Sequence, residues 1–92
     1  MISLQMDIDI QISHDKKMIG CLVDNCRKPN EIVCNYGTAK NIYGLYHDIA
    51  NVCIRQGKMK DAENCMKMMD YIKEKSDYLL AKYKEKTGQD MF

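Results

Sequence analysis

The stretch Tyr46-His47-Asp48-Ile49-Ala50-Asn51-Val52-Cys53-Ile54-Arg55-Gln56-Gly57-Lys58-Met59-Lys60-Asp61-Ala62-Glu63-Asn64-Cys65-Met66-Lys67-Met68-Met69 decides the fold. Backward from Cys53, the residues Ala50, Tyr46, Tyr43, Ala39, Tyr36 and Ile32 recur at a three-four spacing, which is the seam of an amphipathic helix over 31–56. Forward from Ala62, the residues Cys65, Met66, Met69, Ile72, Ser76, Leu79 and Tyr83 repeat it and predict a second helix over about 60–86. Gly57 suits the end of the first helix, because glycine enters the left-handed backbone region without a Cβ clash. Two long helices joined by so short a link fold back as an antiparallel hairpin. The outward face of the second carries helix-spaced charges such as Asp70/Glu74 and Lys73/Asp77, and Gly88 lies just past its end.

Gly37 and Gly44 work against the first helix, each costing about 1 kcal/mol relative to alanine in a helix interior. Gly37-Thr38 reads alternatively as a break with Thr38 as N-cap, which would leave 31–36 as a short strand; the sequence leaves both readings open. Upstream, Ile2, Leu4, Met6, Ile8, Ile10 and Ile12 alternate with polar residues, the period of a strand with one buried face. Ser13 follows as a candidate N-cap, and Met18, Ile19, Leu22, Val23 and Cys26 form the stripe of a short helix over 14–26. Arg27-Lys28-Pro29-Asn30 ends it, since proline lacks an amide donor and disfavours helical geometry in the residue before it. The expected fold is therefore mainly α: an N-terminal β-strand, a short helix, then a long antiparallel hairpin (β-α-α-α). It forms one structural domain, with 1–12 as an assembly segment and 13–92 as the helical body.

Within the hairpin, residues 46–72 resemble a single tetratricopeptide repeat. Tyr46 stands where that family prefers a large aromatic, Ile49 and Ala50 at its leucine and small residue, Gly57 at its inter-helix glycine and Ala62 at its alanine. Cys53 replaces the usual aromatic, Met69 a usual alanine, and no proline follows the second helix. One repeat length upstream nothing similar is found, so no array and no multi-repeat groove is expected. The resemblance implies a helical protein-interaction scaffold and carries over no catalytic residue.

Composition bounds the function. With 92 residues, 46% of them hydrophobic and 29% charged, the chain is a single globular domain and too short for a multidomain enzyme. At this size only about 60% of the unfolded surface is buried, which favours self-association. Fourteen Lys and Arg against thirteen Asp and Glu give a net charge of +1, evenly spread, which is neither a nucleic-acid footprint nor an acidic mimic. No apolar run approaches the length of a membrane span. The start of the chain has no leader pattern and the cysteine count of five is odd; reduced thiols in a cytoplasmic setting are expected.

His14, Cys21, Cys26 and Cys34 invite a zinc site, but Cys21 and Cys26 lack the tight knuckle spacing that thiolate ligands need. Cys26, Cys53 and Cys65 lie on apolar stripes and read as small core residues. No metal and no cofactor is expected. His47-Asp48 and His14 lack the elbow or nucleophile partner of covalent catalysis, so no catalytic residue is assigned. Tyr36, Tyr43 and Tyr46 share one side of the first long helix, and Met59 and Met68 lie near the turn; these five are the candidate partner-binding residues. Ile2, Leu4, Met6, Ile8, Ile10 and Ile12 are the candidate dimerisation residues, a strand pairing with its symmetry mate. The expected function is a non-enzymatic interaction, adaptor or inhibitor module, homodimeric through that strand, whose partner is another protein. A ribbon-helix-helix-like DNA-binding regulator is the first alternative, opposed by Asp7 and Asp9 on the outward strand face. A binder of a small ligand or nucleotide between helices is the second.

Overall fold

The computed structural model describes residues 8–92, which fold into three α-helices: α1 over Ile8–Asn25, α2 over Pro29–Arg55 and α3 over Met59–Thr87. They form an elongated bundle of 52 × 22 × 15 Å. Helices of 27 and 29 residues, at 1.5 Å per residue, run about 40 Å and 43 Å and account for the long axis. Both hairpin helices match the sequence expectation to within two residues. Residues 31–36 are helix, not strand, and Gly37 and Gly44 lie within α2 with no neighbouring atom within 4 Å of the Cβ each lacks. Their propensity cost is outweighed by the seam on the opposite side of the same helix, where Ile32, Ala39, Tyr46, Ala50 and Cys53 are buried.

The ends of the helices follow the local chemistry. Pro29 occupies the first position of α2, where its missing N–H costs nothing, and the Lys28 backbone N–H donates to Glu31 Oε1 at 3.0 Å. Gly57, at φ +75°, turns the chain between α2 and α3, and the Lys58 N–H closes the turn on the Cys53 carbonyl at 2.8 Å. Gly88, at φ +72°, ends α3 with its N–H on the Lys84 carbonyl at 2.7 Å.

The N-terminal strand is the major correction. Among the described residues there is no strand, and Ile8, Ile10 and Ile12 belong to α1, so the fold is all-α. Ile2, Leu4 and Met6 lie outside the described residues. The pattern misled because residues two apart are also roughly opposite on a helix. Ile8 and Ile12 fall in line with Asp15, Ile19 and Val23 on the inward face, while Ile10 points away and is 68% exposed. A helix also satisfies its own backbone, whereas a lone strand over 8–12 would have no partner. Ser13, the expected N-cap, sits in mid-helix on the exposed side. The ribbon-helix-helix alternative loses its ribbon over the same residues.

α1 runs antiparallel to α2 and lies along the groove of the hairpin, closer to α3 than to α2. Its Ile19 and Val23, with Cys26 beyond it, join Tyr46, Met68, Ile72 and Leu79 in one core cluster.

Candidate functional site

The structure divides the tyrosine and methionine residues singled out above. Tyr36 and Tyr43 are half-buried on one side of the α2/α3 groove, around a cavity of about 220 Å³ that Lys40, Lys73, Ser76 and Asp77 also line. The end of the chain folds back onto α2: Phe92 packs on Tyr36 at 5.5 Å between ring centroids, and Met91 rests on the core. Tyr46 is interior, 1% exposed, and leaves the candidate surface. Met59, at the start of α3, is open to solvent, whereas Met68 is fully buried. The seam of α3 runs Ala62, Cys65, Met68, Ile72, Ser76, Leu79, so Met66, placed in the seam by the sequence, is outside it. Three or four adjacent methionines fit two neighbouring stripes equally well, and only the partner helix selects one.

Tyr46 is instead one half of a buried polar contact. Its hydroxyl donates to Asp15 Oδ2 at 2.6 Å, and Gln11 Nε2, one turn before Asp15 on α1, reaches both carboxylate oxygens at 3.1 Å. His14 Nδ1 lies 3.5 Å from Asp15 Oδ1. Burial by itself would raise the Asp15 pKa; the hydrogen bonds from Tyr46, Gln11 and His14, together with the His14 charge, outweigh it and hold the carboxyl below its ordinary value. Burial first, and the Asp15 carboxylate second, push the Tyr46 phenol well above its usual value. The pair is thus an ionised acceptor and a neutral donor that fix α1 against α2. Nothing in the one-residue alphabet of hydropathy announces it, although Gln11, Asp15 and Ile19 share the helical spacing of an inward face.

Cys26, Cys53 and Cys65 are buried, and burial, with Cys53 and Asp61 nearby, pushes the Cys65 thiol up to about 11, which keeps it protonated. Cys21 and Cys34 are exposed and share, with Cys26, a cavity of about 390 Å³ at the α1–α2 corner. Among the described residues, no three His, Cys, Asp or Glu side chains are grouped so as to hold a metal ion.

An apolar line open to solvent lies on α2, where sequence reasoning missed it. Ile42, Leu45, Ile49 and Val52 succeed one another at the three-four spacing on the flank beside the core seam; Leu45 is 52% and Val52 41% exposed. The flank ends in a cavity of about 280 Å³ lined by Ile8, Ile49, Val52 and Cys53, with Asp48, Gln56 and Lys58 also in its wall. Ile42 and Ile49 pack partly against the core and Ile8 of α1 reaches the cavity, while Leu45 and Val52 stay open. The signal was present in the sequence as a second apolar line parallel to the first.

No protein-family model, curated protein or solved structure matches the chain significantly. No described helix is long and apolar enough to cross a membrane.

Proposed function

We propose that this chain is a non-enzymatic protein-interaction module that receives an amphipathic helix of another protein along the Ile42/Leu45/Ile49/Val52 flank of α2. The exposure of Leu45 and Val52 beside an apolar cavity carries the reading: a line of this spacing, ending in a recess, accepts the anchors of a helix laid in a groove. Asp48, 81% exposed at the side-chain level, stands along the middle of the flank. Two copies paired about the centre of this line would bring Asp48 against Asp48, so a second copy is disfavoured and a helix with a cation at that level is preferred. The homodimer expected from the N-terminal strand loses its basis over residues 8–12. A single tetratricopeptide-like hairpin is consistent with a scaffold that binds protein.

The test uses a labelled helical peptide with leucines at heptad spacing and one central lysine, and a second peptide with glutamate in its place. The lysine peptide should bind more tightly. Leu45→Asp and Val52→Asp, with helicity unchanged in circular dichroism, should each weaken it at least about tenfold. Asp48→Lys should reverse the preference. Binding that ignores all three substitutions, or no binding by the unaltered chain, refutes the reading.

A further inference from the structure

A second surface, on the other side of α1, has a different chemistry. Along α3, Tyr71, Lys75, Tyr78 and Lys82 follow one another at four, three and four residues and so form a single line, which faces the flank of α1. Lys16 of α1 closes that line from across the seam: its ammonium lies 5.2 Å from the centre of the Tyr71 ring, and that of Lys75 lies 5.4 Å from it. Lys82 stands 5.9 Å from the Tyr78 ring, which is largely exposed. Among the described residues none of these three ammoniums is in a salt bridge. Of the lysines of α3 that are, Lys84 with Asp90 lies off the line, and Lys67 with Glu63 stands one turn before Tyr71, at its upstream end. The carboxylates Asp70 and Asp77 are more than a quarter-turn further round the helix, and Glu74 stands on the edge of the line without a salt bridge to its lysines. At the downstream end, Tyr78, Ala81, Lys82, Glu85 and Lys86 enclose a cavity of about 290 Å³, with Glu85 its single carboxylate.

A near-neutral chain has therefore gathered two tyrosines and three ammoniums on one seam, none with a carboxylate partner among the described residues; that of Lys82 also donates to Cys26 Sγ at 3.9 Å. We propose that this seam docks an acidic polypeptide segment, whose carboxylates take the ammoniums now resting on the tyrosine rings. Single-stranded nucleic acid fits less well. Stacking needs an open ring face, and the Tyr71 ring already has two ammoniums around it while its hydroxyl donates to the Lys16 carbonyl at 3.3 Å. With a net charge of +1 there is no broad positive field to hold a phosphate backbone. The seam and the α2 flank use different residues, so one chain can hold an acidic segment and an apolar helix together, as an adaptor does.

Fluorescence anisotropy with a labelled decaglutamate peptide tests this on the full chain. Saturable binding at low salt is expected, weakening severalfold toward physiological salt. Lys75→Glu/Lys82→Glu should reduce it at least about tenfold, and the milder Lys75→Gln/Lys82→Gln should reduce it less. Lys17→Glu/Lys73→Glu alters net charge as much as the first pair does, away from the seam, and should leave affinity within about twofold. Equal losses in the two glutamate pairs, tighter binding of an oligothymidylate of equal charge, or no binding by the unaltered chain overturns the proposal. Retention of the leucine-lysine peptide by Lys75→Glu/Lys82→Glu separates a failure here from a failure of the α2 flank.

Discussion

The α2/α3 hairpin and the docked helix α1 are held by different forces. The hairpin closes on an apolar seam in which small residues, Ala39, Ala50 and Ala62, let the helices approach and Ile72, Met68 and Leu79 fill the space between. α1 adds Ile19 and Val23 to that core but is also tied to the hairpin by side-chain hydrogen bonds. Tyr46 donates to Asp15, Asn35 to the Leu22 carbonyl at 2.9 Å, Asn64 to Asp9 at 3.1 Å, and Tyr71 to the Lys16 carbonyl. Apolar burial is non-directional and tolerates any register that keeps the stripe inward, whereas hydrogen bonds hold one register only. The apolar seam of the hairpin thus supplies the larger share of the stability, and the polar contacts set where α1 sits. Both proposed surfaces border α1, so its position shapes them both.

The largest expected effect attacks what the two regions share. Ile72→Ala, at a fully buried position, should cost about 3 kcal/mol in urea denaturation and lower hydrogen-exchange protection in all three helices. Asp15→Ala should cost about 2 kcal/mol, because it strands the Tyr46 hydroxyl in the interior. Here α1 amides should gain exchange before those of α2 and α3; equal gains throughout would erase the distinction between the regions.

The same contact has a defined pH dependence. Asp15 has a folded pKa held below its ordinary 3.8, so its contribution is fully present above the unfolded value. It is lost as pH falls through the lowered folded value, when the carboxylate takes a proton. Asp15→Asn should remove that part of the acid sensitivity, read as a flatter stability profile below about pH 4. The smallest effect is a gain: Gly44→Ala, in the open interior of α2, should stabilise by about 0.5–1 kcal/mol, while Gly57→Ala, at φ +75°, should destabilise.

The hairpin was legible because it rests on long-period information. Seven positions of α2 and most of α3 repeat one spacing over many turns, so a local exception such as Gly37 or Gly44 cannot change the outcome. Residues 8–12 were not legible, since five residues satisfy a strand period and a helix face alike, and the groove of the hairpin chooses between them. Of the expected contact residues, Tyr36, Tyr43 and Met59 stay accessible in part or in full; Tyr46 and Met68 turned inward because the α3 seam runs through Met68 and Asp15 reaches Tyr46 from α1. The α2 flank and the lysine–tyrosine seam were each written as a regular spacing, but a spacing does not say which of two neighbouring lines a third helix will cover.

By itself the sequence determined two long helices, the turn at Gly57, the break before α2 and the even charge balance, because these follow from backbone preferences and periodicity within a few turns. The helical state of Ile8 to Ile12, the burial of Asp15 as the acceptor of Tyr46, and the choice of apolar and cationic lines left open arise from the packing of the three helices. Those outcomes depend on contacts between residues 31 and 55 positions apart, whose energies exist only once the hairpin has formed a groove for α1 to enter.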